Sequence, residues 1–122
     1  MKIVGTGSCL PQRVVSNDDL AAIMDTSDEW ISSRTGIRNR HIATTETTTS
    51  LACDAVKSAL QDAGIDGSEI ELIIAASVST DKIVPSLACQ IQAEIGAEGA
   101  VAFDINAACS GFLFGLATAD AY

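Results

Sequence analysis

The chain has 122 residues, 48% hydrophobic, 19% charged and only 4% aromatic, which suits a modest globular domain with a core of Ala, Ile, Leu and Val and predicts a layered α/β fold. A formal net charge of −9 argues against a nucleic-acid partner, because phosphate-backbone affinity comes from clustered Lys and Arg. No apolar run reaches the roughly 18 residues that cross a bilayer, no signal-peptide pattern opens the chain, and Cys9, Cys53, Cys89 and Cys109 form no CxxC pair; a cytoplasmic protein with free thiols, no metal and no membrane partner is expected.

Lys2-Ile3-Val4-Gly5-Thr6-Gly7-Ser8 reads as a short buried strand, with a loop from Leu10-Pro11. Gly5 and Gly7 hint at a dinucleotide fingerprint, but no third glycine and no immediate helix follow, so a tight strand exit is the better reading. Asn17 is placed to cap a helix over Asp18–Met24, whose first-turn acids complement the dipole. Thr26 and Glu29 have capping-box spacing and launch a helix through Trp30 to Arg34, which Gly36 ends.

Trp30 and Arg34 are four apart and share a helical face. A planar aromatic and a planar cation so placed suit a flat ligand such as a nucleobase; equally, Trp covers core with Arg stacked upon it, which spacing alone favours. Arg34, Arg38 and Arg40 lie close together and allow a local anion site in an otherwise acidic chain. Ile37–Ile42 alternates apolar and polar residues and reads as a half-exposed strand. It carries His41, the only histidine, which reads as a surface hydrogen-bonding group more than as a base for a thiol.

From Thr44 to Ser50 the chain is polar and leads into an amphipathic helix over Leu51–Ala63, stopped by Gly64, with Cys53 in its packing face. After a turn at Ile65–Ser68, Ile70–Val78 is a near-continuous apolar strand of the kind buried on both faces. Val84-Pro85-Ser86 sets up a further helix over Leu87–Ile95, stopped by Gly96, with Cys89 as a small buried side chain. Next comes a strand through Val101-Ala102-Phe103-Asp104-Ile105 that delivers Cys109 to a helix start. Helix, strand, helix, strand, helix implies parallel strands joined by right-handed crossovers. No second domain boundary is visible, and Gly115–Tyr122 stops inside a helical pattern with neither cap nor stop signal, so the chain reads as cut short.

Cys109 is the residue on which chemistry converges. A thiolate at a helix N-terminus is stabilised by the partial positive charge of the peptide amides and becomes a better nucleophile. The strand-to-helix turn aims it outward from the carboxyl end of the sheet, where α/β proteins bind ligands. Small neighbours at Ala107, Ala108, Ser110 and Gly111 leave room for substrate, and the backbone N–H of Cys109 can stabilise an oxyanion. Two other readings stay open on spacing alone: a structural cysteine at a helix start, and a redox-sensing thiol, for which no resolving cysteine is identifiable.

The stretch Asp104-Ile105-Asn106-Ala107-Ala108-Cys109-Ser110-Gly111-Phe112, with Gly5-Thr6-Gly7-Ser8, Asp25–Ile31, Arg34-Thr35-Gly36-Ile37-Arg38 and Pro85–Gln90, strongly resembles β-ketoacyl-[acyl-carrier-protein] synthase III, more than thiolases, hydroxymethylglutaryl-CoA synthases or chalcone synthases. The resemblance runs from end to end. It implies a thiolase-like fold of two similar halves, of which residues 1–122 are the N-terminal one. It further implies that a short acyl-CoA acylates Cys109, and that malonyl-acyl-carrier protein is decarboxylated and condensed with the acyl group in a cytoplasmic homodimer that needs no cofactor.

By the same resemblance Trp30 and Arg34 bracket the CoA adenine, with Thr26 alongside. Val84 stands where related enzymes carry a Phe that reaches into the partner subunit's acyl pocket, which leaves the starter group open. The catalytic His and Asn of the family belong to the second half, and His41 does not take that role. These 122 residues alone are therefore expected to be inactive and marginally stable. A non-catalytic CoA-binding or scaffolding module is the other reading of the chain.

Overall fold

The computed structural model describes residues 2–122. The chain forms two compact units, one of Leu10–Glu46 and one of Thr47–Tyr122 with the segment before Leu10.

The larger unit is built on two parallel strands, β3 (Leu72–Ala76) and β4 (Val101–Ile105), in register from Leu72 opposite Val101 to Ala76 opposite Ile105. The ladder is extended at both ends, by Val101 N–H to Glu71 O at 2.8 Å and Ser77 N–H to Ile105 O at 3.3 Å. The expected strand over Ile70–Val78 is thus shorter, because a 3-10 turn at Gly67–Glu69 occupies its entrance. It is also not buried on both sides: Ile73 and Ala75 are core, while Leu72 and Ile74 are only half-buried.

Two helices form the core with β3. Helix α3 (Thr48–Ala63) is capped by Thr47, whose hydroxyl accepts from Ser50 N–H, and is closed by Gly64 at φ 68°. The Asp81 carboxylate adds bonds from Thr48 N–H at 3.1 Å and Thr49 N–H at 2.7 Å. Helix α4 (Leu87–Ile95) is capped by Ser86 and ends at Gly96 with φ 72°; a residue without Cβ takes that left-handed turn without steric penalty. Cys53, Leu87, Ala88 and Ile91 bury against Ile73 and Ala75. Burial pushes the Cys53 thiol above its ordinary range, as expected for a packing residue. Cys89, by contrast, is half-buried rather than buried.

Lys2–Ser8 was expected as a strand and has no ladder partner. It lies along α3. A Cβ on Gly5 would stand 2.7 Å from Ala59 O, and one on Gly7 only 2.2 Å from Ala55 O. The two glycines are therefore explained by backbone lying on backbone. Thr6 N–H donates to Asp62 on the same helix at 2.9 Å.

The final helix, α5 (Gly111–Ala121), packs on β3 through its glycines: a Cβ on Gly111 would lie 3.0 Å from the Ala76 methyl, and one on Gly115 3.9 Å from Ile74. Phe112, Leu113 and Phe114 of this helix are exposed.

In the smaller unit β1 (Arg13–Ser16) pairs antiparallel with β2 (Asn39–Ile42), Arg13 opposite Ile42. Strand β1 is missed in the sequence, where four residues make too short a pattern. Helix α1 (Asn17–Ala21) is capped by Ser16 in a capping box with Asp19, and α2 (Asp28–Thr35) by Ser27, whose hydroxyl accepts from Trp30 N–H at 3.1 Å. Asn17 and Thr26, assigned as caps by spacing, each sit one residue away from the true cap.

Gly7→Ala is expected to lower stability by about 1–3 kcal/mol, the usual penalty of forcing extra volume into a packed contact, since the new methyl must displace the α3 backbone. Urea unfolding would measure it, and an unchanged midpoint would show that the segment does not lie on α3 in solution.

Candidate functional site

Cys109 stands in a single 3-10 turn, Ala108–Ser110, between β4 and α5. The turn is reached through Ala108 at φ 44°, the only described non-glycine residue with positive φ. An L-residue held there stores on the order of 1 kcal/mol or more, which persists only where the surroundings over-determine the conformation. Three constraints do so: the end of the β3–β4 ladder, the close approach of Gly111 to Ala76, and the Ala108 N–H directed to Asn106 Oδ1 at 3.5 Å. The thiol is exposed, and Ser110 at the start of α5 makes no side-chain cap bond. The expected placement of the thiol at a helix start beyond the carboxyl end of a parallel strand is what the structure has. The strained residue before it was not foreseen, because nothing in an Ala-Ala pair signals positive φ.

The strand that leads to Cys109 is anchored sideways. Asp104 Oδ2 accepts from Leu87 N–H at 2.9 Å and Oδ1 from Ala88 N–H at 2.7 Å, while the Ser86 hydroxyl takes Cys89 N–H at 3.3 Å. Between them the two side chains satisfy three of the four N–H groups that a helix start leaves unpaired. In the sequence Asp104 stands out only as part of a motif, since the partner amides are 16 and 17 residues away. Val84, in the segment just before this cap, is 82% exposed.

In the smaller unit Trp30 and Arg34 lie on α2 as the spacing requires. The guanidinium carbon stands 4.4 Å from the indole centroid, and Arg34 Nη1 donates to Trp30 O at 3.4 Å. Both residues are exposed, Trp30 by 54%, so the indole does not cover core. The direct stack leaves no layer for a ring between the pair. A base held between them needs Arg34 to lift away, a small loss because an exposed cation–π contact is worth about 0.5–1 kcal/mol. Beside the indole lies a recess of about 360 Å³ lined by Asp25, Thr26, Ser27 and Trp30, and a second of about 260 Å³ includes Ser33 and Arg34.

What holds α2 is a polar hub that the sequence reading missed. Asn17, 1% exposed, donates from Nδ2 to Asp28 Oδ1 and to Ile37 O, each at 2.8 Å, and its Oδ1 accepts from Arg40. Arg40 also donates to Val15 O at 3.0 Å, and Arg38 pairs with Asp28 at 3.2 Å. Two of the three clustered arginines are thus engaged in holding the unit together. His41 is exposed with Nδ1 2.7 Å from Pro11 O; a carbonyl only accepts, so Nδ1 carries the proton. That agrees with a surface hydrogen-bonding role.

Comparison with known proteins follows the same lines. No family model matches the chain. The chain is 52% identical over 121 residues to β-ketoacyl-[acyl-carrier-protein] synthase III of Streptococcus sanguinis, and 53% identical to that of Streptococcus pneumoniae. Each alignment covers 99% of this chain. Over nearly its whole length, the chain is similar to β-ketoacyl-[acyl-carrier-protein] synthase III enzymes. It spans 37% of the length of these relatives. The crystal structure of the Aquifex aeolicus enzyme superposes with a TM-score of 0.94 at 52% identity, covering 98% of this chain and 39% of that one. The priming β-ketosynthase of the R1128 polyketide pathway superposes at 0.92 with 39% identity, covering 97% and 36%. The fold is therefore the thiolase-like α/β arrangement of these synthases.

Two predictions concern the smaller unit. Asn17→Ala leaves Asp28, Arg40 and the Ile37 carbonyl without their shared partner and is expected to cost about 2–3 kcal/mol; hydrogen exchange should then show Leu10–Glu46 opening first, and protection equal to wild type would refute the hub. Glu46 accepts from the backbone N–H of Gln12 at 2.9 Å and of Thr44 and Thr45 at 2.9 and 3.1 Å. These bonds, Gln12 foremost, hold its carboxyl down to about 2 from an ordinary 4.5. A depressed acid stabilises the fold fully above its unfolded pKa, so this contribution should persist down to about pH 4.5 and fade towards pH 2. An NMR titration of the Glu46 carboxyl with its midpoint near 4.5 would show that the bonds are not made.

Proposed function

We propose that the protein to which this chain belongs is a condensing enzyme that starts fatty acid chains, with Cys109 as its acylated nucleophile. The observation that carries the reading is the exposed Cys109 thiol, held by the left-handed Ala108 at the carboxyl end of a parallel strand, in a chain 52% identical to such synthases. The thiolate sulfur attacks the thioester carbon of a short acyl-CoA. The Cys109 N–H helps to hold the oxyanion, the carbon–sulfur bond to CoA breaks, and the CoA thiolate departs and takes a proton. Malonyl-acyl-carrier protein then loses CO2, and its carbanion attacks the Cys109 thioester. The product is β-ketoacyl-acyl-carrier protein, and the thiolate is restored.

Trp30, Arg34 and Thr26 are the residues for the CoA nucleotide. The indole offers a stacking face beside the Thr26 recess, and Arg34 a mobile cation. Val84 belongs to the acyl pocket across a homodimer, where a side chain smaller than Phe leaves the starter group open. These 122 residues are the N-terminal half of the thiolase-like domain. The His and Asn that stabilise the decarboxylating thioester come from the remainder, which also covers Phe112, Leu113 and Phe114 of α5, since a cluster of large exposed apolar side chains is normally covered by a partner surface. The reaction needs no cofactor or metal, and a cytoplasmic enzyme fits these substrates; no helix among the described residues is long and apolar enough to cross a membrane.

Incubating the full-length protein with acyl-CoA is expected to add one acyl mass to Cys109, and Cys109→Ser to abolish that thioester. Intact and peptide mass spectrometry measure both, and absence of the adduct from the wild type would overturn the function.

A further inference from the structure

Positive φ is taken by glycine at Gly36, Gly64 and Gly96, at 71°, 68° and 72°, and each of these ends a helix. Ala108, at φ 44°, is the only described residue to carry a Cβ into that region, and it stands directly before the thiol. Glycine would take the same conformation without strain, but it ranges freely over both signs of φ. Alanine is confined to a narrow left-handed well. The other amides of the turn are engaged: Ala108 N–H is directed to Asn106 Oδ1 at 3.5 Å, Ser110 N–H donates to Ala107 O at 3.0 Å, and Gly111 N–H donates to Ala108 O. Among the described residues no acceptor takes the Cys109 N–H.

We propose that Ala108 is a positioning residue for acyl transfer: its restricted left-handed backbone holds the free Cys109 amide and the Cys109 sulfur together in the one orientation that serves both attack and oxyanion binding. The inference rests on the function proposed above. The physical reason is leverage. The peptide that carries the Cys109 N–H hangs from the Ala108 Cα, so rotation there swings amide and sulfur as one body against β4, whose end the ladder fixes at Ile105. Misplacement by about an ångström at a reacting pair costs on the order of a hundredfold in rate. A conformation strained by its own Cβ persists where the surroundings over-determine it, and such residues gather at sites that need a fixed geometry.

The test compares Ala108→Gly with wild type in the full-length protein, following Cys109 by peptide mass spectrometry in two reactions. Acylation by acetyl-CoA needs sulfur and amide in place together. Alkylation by iodoacetamide, in which the sulfur displaces iodide, needs an accessible thiolate and no oxyanion donor. Gly96→Ala, which forces a Cβ into the left-handed region at the end of α4, serves as the control for lost stability alone. Ala108→Gly is expected to melt at or above the wild-type temperature, because strain is relieved. Its acylation should slow on the order of tenfold while its alkylation stays within about twofold of wild type. Gly96→Ala should melt earlier at an unchanged ratio of the two rates. Ala108→Gly acylated at the wild-type rate would overturn the inference, and so would acylation and alkylation falling together, or the same loss of ratio in Gly96→Ala. A wild-type protein that is alkylated but takes up no acyl group would instead refute the proposed function, and this inference with it.

Discussion

The parallel pairing of β3 with β4 is the constraint from which the larger unit follows. Parallel neighbours cannot be joined by a tight turn, so the chain must leave at Ala76, cross over through α4 and return at Val101. That crossover puts the N-terminus of α4 beside β4, with its first amides buried and in need of acceptors. Asp104 supplies them from within the strand. One carboxylate thus satisfies the helix start and locks the crossover to the sheet. Asp81 repeats the device at α3, where two more amides are taken by a carboxylate from a loop.

The same ladder decides where the thiol goes. It ends at Ile105, and α5 must pack straight back on β3, which Gly111 permits by bringing its backbone against Ala76. The few residues between have little freedom. Ala108 is held in the left-handed region by anchors on both sides, and Cys109 is presented at the rim. Strain beside a nucleophile survives only when such anchors are rigid.

The smaller unit obeys a different rule. It has no side chain in the apolar core, and its organising residue is a buried asparagine that joins α1, α2 and β2 by hydrogen bonds. Polar hubs of this kind tie geometry to each bond, so the placement of Trp30 and Arg34 depends on Asn17 more than on hydrophobic packing. Two recesses adjoin the indole, and the guanidinium rests directly on it, an arrangement with little to lose when a planar ligand arrives.

Local rules were sufficient to read α2, α3, α4 and the strands on either side of α4, because 3.6-residue periodicity, Gly36, Gly64 and Gly96 as stops and short apolar runs are properties of neighbouring residues. They also placed Cys109 at a helix start and Trp30 with Arg34 on one face. Cap assignments slipped by one residue at Asn17 and Thr26, where several adjacent polar side chains compete for the same amide and only the backbone decides. The expected strand at Lys2–Ser8 became a segment laid on α3, because an apolar run does not say what it packs against. The clasp of Asp104, the hub at Asn17, the positive φ of Ala108 and the glycine contacts of Gly7 and Gly111 arise between residues far apart in the chain or from the conformation they impose. These were decided by the tertiary structure alone, since distance in space, and not order along the chain, sets which donor meets which acceptor.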